Sequence, residues 1–220
     1  TIPKDDTLTF TINIFGKHID KFYYVFCSFI EGGEKYGIGK NKSPFEVVNI
    51  TDYNGNKIYQ KGKKEIKYKL NPVKIEQHSK LYKEIKINFK TPFVIKGNLS
   101  IEQFFPFNLL MANIFRKMYL IYKYSLNNNI SYKEYIELKN ELLNEANTIK
   151  VLKQNLKKEK LILRSVKKRQ KLVFSGVVGS ITYVGNEIYK FHPYFEIGRF
   201  IFVGKNTALG LGMYNFEIGE

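Results

Sequence analysis

An α+β fold made of two related units follows from three features of the 220-residue sequence. Stretches of period-two apolar alternation are interleaved with stretches of helical spacing, so strands and helices are mixed along the chain. From residue 81 onward their order is strand, helix, helix, strand, strand, helix, strand. Before residue 81 there is a shorter strand, helix, strand series. The composition permits two packed units, because 44% apolar and 25% charged residues is ordinary globular usage and excludes a wholly disordered or repeat-fibre chain. The units are expected at 1–80 and 81–220.

The elements follow in order. Thr7 to Phe15 alternates Leu8, Phe10, Ile12 and Ile14 with polar partners, the pattern of a half-buried strand. Asp20 is placed to cap a helix carrying Phe22, Tyr23, Phe26, Cys27 and Ile30, with Gly32-Gly33 as its stop. Phe45 to Ile50 and Lys57 to Tyr59, joined by Asn54-Gly55, predict a β-hairpin. In the second unit Ile85 to Phe89 alternates cleanly. Ser100 with Gln103 is a capping-box pattern before a helix bearing Phe104, Phe107, Met111, Ile114, Met118 and Ile121, in which Pro106 is either a kink or the true first turn. Ser131 with Glu134 opens another helix, with Tyr135, Leu138, Leu142 and Ile149 on one side. Strands are then expected at 161–164, 172–174 and 177–184, with turns at Gly176 and Gly185-Asn186. Pro193 should open a short helix, and 211–218 a last strand. The second unit thus has the split βαβ order of a ferredoxin-like sandwich, and the first reads as the later half of the same plan.

The charge narrows the function classes. Thirty-six Lys and Arg against twenty Asp and Glu leave +16, which points to an anionic partner. The cations are unevenly placed: residues 57–90 hold eleven Lys and three Glu, and Arg164 to Lys171 holds five cations in eight residues. Such clusters suit a phosphate backbone and predict affinity that falls with salt; a solvated Lys-rich surface is the competing reading. Sixteen Tyr and eighteen Phe offer stacking platforms for bases, although most should be core. No run of about 18 apolar residues exists and the start lacks signal-peptide order, so neither a membrane nor secretion is indicated. The one cysteine, Cys27, and three histidines supply no internal disulfide and no zinc cluster, so a reducing, cytoplasmic setting without a metal or cofactor is expected.

Gly204-Lys-Asn-Thr-Ala-Leu-Gly-Leu-Gly212 is the densest backbone motif. Its glycines permit positive φ and close backbone approach, so that N–H groups converge on a phosphate while Lys205 adds charge; a purely structural turn is the alternative. Neither the Walker spacing nor the strand-to-helix context of a dinucleotide fingerprint is met.

Together with Arg169-Gln170, Gly176-Val-Val-Gly179, Thr182-Tyr183, Gly185, Pro193 to Gly198 and Val203 to Thr207, this loop resembles the C-terminal signature of the CRISPR-associated endoribonucleases of the Cas6 family. Phe10 to Gly16, Tyr36-Gly-Ile-Gly39, Phe45 and Phe89-Lys-Thr-Pro92 are similar to upstream parts of that family. The resemblance implies tandem ferredoxin-like domains of the RAMP superfamily, the first lacking its leading β-α-β portion. It implies binding of CRISPR repeat RNA and metal-independent cleavage of the precursor transcript. Gly204, Lys205, Gly210 and Gly212 would then meet RNA phosphates, as would Lys167, Lys168 and Arg169.

Such cleavage needs a base for the 2′-hydroxyl, an acid for the 5′-oxygen and a cation at the phosphorane, leaving a 2′,3′-cyclic phosphate. Histidine titrates in the right range. His192, before Pro193 at a helix start, and His18, after the first strand, are the candidates; a polar cap is the other role open to His192, and His78 reads as surface. The alternative function is a non-cleaving repeat-RNA-binding protein or RAMP subunit of an interference complex. Partners are therefore RNA and interference-complex proteins, with a homodimer left open. A membrane-surface adaptor would need a cationic amphipathic helix, and the best helix here has few cations.

Overall fold

The computed structural model describes residues 6–16, 19–39, 41–62, 70, 72–75, 81–95, 105–125, 131–165 and 170–219, of which 164, 165 and 170 are described in backbone only. The chain divides into two compact units, Thr1–Lys74 and Ile75–Glu220.

In the first unit a 3₁₀ turn, Ile19–Lys21, leads into helix α1, Phe22–Lys35. Strands β1, Asn49–Thr51, and β2, Lys57–Gln60, pair as an antiparallel hairpin. Asp52 sets its turn by accepting from the backbone N–H groups of Asn54 and Asn56, a local bond that competes with strand continuation. Phe22, Phe26 and Ile58 form the core, with Ile14, Ile50 and Leu70 packed against it.

Two expectations are corrected here. Residues 7–15 form no strand and are mostly exposed, because period-two alternation makes a strand only where a neighbour offers its backbone, and no described strand pairs with them. Phe10 instead meets the Phe29 ring of α1 at 5.3 Å. Helix α1 also runs through Gly32-Gly33 to Lys35. Gly33 serves packing: a Cβ there would lie 2.4 Å from the Phe45 carbonyl oxygen, and its own carbonyl accepts from the Phe45 N–H.

The second unit contains β3, Glu84–Phe93; α2, Phe107–Ser125; α3, Tyr132–Ala146; β4, Lys150–Ser165; β5, Gln170–Val184; α4, His192–Ile201; and β6, Tyr214–Ile218. The sheet order is β4-β5-β3-β6, with every neighbouring pair antiparallel. Each βαβ connection therefore skips one position, which the other connection fills. This is the ferredoxin-like topology expected from the sequence order, with α3 as the additional helix.

Alternation in β3 buries Ile85, Ile87 and Phe89 on the helix-covered face and leaves Lys86 and Asn88 on the other, where Lys86 and Asn88 both reach Glu217 of β6. Against that face α2 sets Phe107, Leu110, Met111 and Ile114 at helical spacing. Phe107 meets Tyr183 and Phe191 edge-on, each at 5.1 Å between ring centres. The two fully buried phenols are satisfied: Tyr183 donates to the Phe105 carbonyl and Tyr214 to that of Phe195. Burial pushes both phenols up, so they remain donors at any physiological pH.

Pro106 immediately precedes α2 and so marks its start rather than a kink. Ser100, Gln103 and Phe104 lie outside the described residues. The capping box of α3 is present in full: Ser131 Oγ accepts from the Glu134 N–H, and the Glu134 carboxylate from the Ser131 N–H. The strands expected at 161–164, 172–174 and 177–184 are instead two long ones, because Gly176 and Gly179 lie within β5. β4 begins at Lys150, although Lys150 to Lys160 is too polar for periodicity to mark a strand; its backbone is held by β5 from Lys150↔Val184 to Ser165↔Gln170.

A candidate nucleic-acid interface at one end of the sheet

Helix α4 ends at Ile201, and Phe202 at φ +57° turns the chain toward the glycine-rich loop. Gly204 is buried where a Cβ would lie 2.5 Å from the Val94 carbonyl oxygen. The next N–H, of Lys205, donates to that carbonyl at 2.7 Å, while the Lys205 side chain is exposed. Asn206 adopts φ +59° before a 3₁₀ turn, Thr207–Leu209. Gly212, at φ +76°, has its Cα so close to Val203 that a Cβ would fall 1.7 Å from that carbonyl oxygen. Its N–H donates to Pro92 and its carbonyl accepts from Val203. Thr91 completes the attachment, its hydroxyl donating to the Gly210 carbonyl at 2.8 Å and accepting from the Met213 N–H.

Two of the expected phosphate-binding glycines thus have a backbone-packing role. Gly204 and Gly212 anchor the loop to the C-terminal end of β3, whereas Gly210 stands exposed with open space around it. The exposed rim is Lys205, Asn206, Ala208, Leu209 and Gly210.

Two further cations support it from α2, and the sequence reading missed both. An Arg116 guanidinium nitrogen donates to the Gly204 carbonyl at 3.1 Å, and the Lys117 ammonium donates to the Thr207 hydroxyl. Burial, and then the neighbouring Arg116 charge, lowers the Lys117 pKa. Their signal was an adjacent pair of cations in a helix otherwise dominated by apolar and aromatic residues.

The register places the β4–β5 ribbon at the same end. Phe93, the last residue of β3, is opposite Val177, and β5 continues away from it to Gln170 with only β4 as its neighbour. That overhang is seven residues, about 23 Å at the usual strand rise. Exposed Lys160 and Lys171 lie along it, with Lys157 and Lys158 at its base. Lys167, Lys168 and Arg169 lie outside the described residues, as do His18 and His78.

His192 is at the other end. It opens α4 and is only 6% exposed, its Nδ1 3.1 Å from the Tyr82 hydroxyl, which precedes β3. Phe216 meets its ring edge-on at 5.6 Å. Burial, with a smaller contribution from Glu196, drives the Tyr82 phenol far up, so it stays a hydroxyl beside the imidazole. The glycine-rich loop is attached to Thr91, Pro92 and Val94, whereas the Phe216 ring beside His192 belongs to a residue opposite Ile87 in β3, and helix α4, about 14 Å from His192 to Ile201, lies between His192 and the turn into the loop. His192 and the loop rim do not converge on one phosphate in this arrangement. Among the described residues, no group of three His, Cys, Asp or Glu is placed to hold a metal ion, and no helix is long and apolar enough to cross a membrane.

Between α2 and α3 lies a cleft of about 380 Å³ lined by Ala112, Asn113, Arg116, Tyr119, Tyr132, Tyr135, Ile136 and Lys139. Tyr119 and Tyr135 are stacked, 4.1 Å between centres and 22° between planes. Burial raises the Tyr135 phenol pKa.

A family described as CRISPR-associated endoribonuclease Cas6 matches residues 87–214, and one described as an N-terminal domain matches residues 1–71. No curated protein matches the chain. Among solved structures, a partial Cas6-RT-Cas1–Cas2 complex is similar at 12% identity and TM-score 0.56, over 92% of this chain and 34% of that one. Cas6 of Thermus thermophilus is similar at 18% identity and TM-score 0.42, over 63% of this chain and 55% of that one. A Cas6 product complex gives 17% identity and TM-score 0.42, over 62% and 52%. The chain thus spans about half the length of these Cas6 structures. The likeness to the larger complex is one of fold alone. The Cas6 match begins within β3, takes in both βαβ crossovers and the glycine-rich loop, and ends at the first residue of β6. It covers more than half of the sequence, and the chain therefore belongs to the CRISPR-associated endoribonuclease Cas6 family.

Proposed function

We propose that this protein binds CRISPR repeat RNA across the glycine-rich loop and the β4–β5 ribbon, and that it processes precursor CRISPR transcripts by metal-independent cleavage to a 2′,3′-cyclic phosphate. One observation supports the RNA reading above the rest: a braced, positively charged loop and a cationic two-stranded ribbon share one end of one sheet. Lys205, Lys157, Lys158, Lys160 and Lys171 supply charge there, and Lys167, Lys168 and Arg169 extend the series in sequence between the ribbon strands. Gly204, Gly210 and Gly212 shape the loop so that its rim meets the sugar-phosphate chain.

In the proposed reaction a base removes the 2′-hydroxyl proton and O2′ attacks the adjacent phosphorus. The bond to the 5′-oxygen breaks as that oxygen takes a proton, and a nearby cation stabilises the phosphorane. His18 and His192 are the acid/base candidates. His192 would need its pocket to open, so His18 is preferred.

The burial of His192 away from the loop supports a second reading, a repeat-RNA holder that does not cut. Such a holder would act with other CRISPR proteins, as the Cas6-containing complex among the structural neighbours suggests. The test is to incubate the full-length protein with end-labelled repeat RNA in EDTA. The preferred reading expects one discrete product ending in a cyclic phosphate, lost in His18→Ala. Binding without product would leave the holder, and no binding would remove both.

A further inference from the structure

Helix α3 is additional to the ferredoxin-like plan, and among its described residues only Ala146 is buried. Fifteen residues of ordered helix that bury so little serve the core weakly. Their more conspicuous effect is to form one wall of the cleft against α2, whose volume of about 380 Å³ is in the range of small-molecule sites, roughly 300–1,000 Å³.

The lining is selective in charge. α3 carries four Glu and two Lys, yet the charged residues lining the cleft are Arg116 and Lys139, both cations. This disfavours a cationic guest, which an aromatic cage would otherwise suit. The rings are arranged for a planar one. The Tyr119–Tyr135 stack forms a wall, and Tyr132 is tilted beside it with its centre 5.8 Å from Tyr119. Tyr132 is 63% exposed and so offers ring surface to the solvent. Arg116 belongs to both places: it lines the cleft and donates to the Gly204 carbonyl of the glycine-rich loop. A strand running over the loop is therefore one side chain away from the tyrosines.

We infer that the α2–α3 cleft receives an unpaired nucleobase, stacked on Tyr132 with Arg116 and Lys139 beside its phosphate, from the RNA whose backbone lies on the glycine-rich loop. The inference rests on the RNA-binding reading proposed above. A free mononucleotide has the same base and phosphate chemistry, so the experiment separates the two sources.

The affinity of the full-length protein for repeat RNA is measured for the wild type, Tyr132→Ala, Tyr132→Phe and Lys205→Ala. It is measured again with RNAs in which single bases are replaced by abasic sites. Stacking on one ring predicts a loss of about 5- to 100-fold in Tyr132→Ala and little change in Tyr132→Phe. One abasic position should cost the wild type a similar factor and cost Tyr132→Ala nothing more. Because Tyr132 is largely exposed, its removal leaves the fold intact; Arg116→Gln, read against the same abasic RNA, gives a second coupling. If Lys205→Ala weakens binding while Tyr132→Ala and every abasic RNA behave as wild type, the cleft inference fails and the loop interface stands. If the wild type binds no RNA, both fail. AMP or UMP alone, followed by tyrosine fluorescence in a chain without tryptophan, should bind weakly and be displaced by the RNA. Tight mononucleotide binding that RNA does not displace would also overturn the inference.

Discussion

Gly212 and Gly210 are two residues apart in one loop, and both adopt positive φ, yet their surroundings make them unequal. At Gly212 a methyl group would collide with the Val203 backbone, whereas at Gly210 it would meet open space. Gly212→Ala should therefore lower stability by at least about 2 kcal/mol, through strain plus displacement of the loop from β3. Gly210→Ala should cost about 1 kcal/mol, the left-handed penalty alone. Denaturant midpoints of the two variants test the difference, and equal losses would contradict the packing role assigned to Gly212. His192 permits a similar separation of roles. Its burial against Tyr82 and Phe216 predicts that His192→Ala loses about 2–4 kcal/mol of stability, from the cavity left behind and the lost contact with the Tyr82 hydroxyl. At a temperature where the variant remains folded, RNA cleavage should persist; a cleavage defect with unchanged stability would return His192 to the chemistry.

At the scale of elements, α3 depends on its cap because so little of it is buried. Ser131→Ala should cost about 1 kcal/mol of stability and fray the first turn, visible as faster amide exchange there. The Glu134 carboxylate accepts from the Ser131 backbone N–H and hydroxyl, which holds its pKa below the usual 4.5. A group with a depressed folded pKa contributes stability above its unfolded value and loses that contribution as pH falls through the folded one. The wild type should accordingly lose α3 stability below about pH 4.5, and Glu134→Gln should flatten that part of the profile. A profile unchanged by the substitution would argue against the box in solution. The capping box was legible because Ser131 and Glu134 are close in sequence and their bonds are local. The long strands β4 and β5 were less so, since a polar stretch such as Lys150 to Lys160 becomes a strand only when β5 supplies its hydrogen bonds.

For the molecule as a whole, the charge sums to +16, but the second unit sets part of it in register with a loop. Replacing Lys157, Lys158, Lys160 and Lys171 together by Gln should weaken RNA binding and flatten the dependence of log affinity on log salt, by roughly 0.7–0.9 for each phosphate no longer neutralised. A slope equal to that of the wild type would remove the ribbon from the interface. The sequence alone determined the α+β class, the split βαβ order, the cap of α3 and the family signature, because each is written in residues close together or in the succession of elements. Its charge also pointed to an anionic partner, the expectation on which the proposed function builds. Only the tertiary structure decided that the alternating Thr7 to Phe15 segment pairs with no described strand and that His192 is buried against Tyr82 and Phe216, with helix α4 between it and the loop. It likewise decided that Arg116 joins the glycine-rich loop to a tyrosine-lined cleft. Those outcomes depend on which backbones and side chains meet across long sequence separations, and a pattern along one strand or helix carries no record of what packs against it.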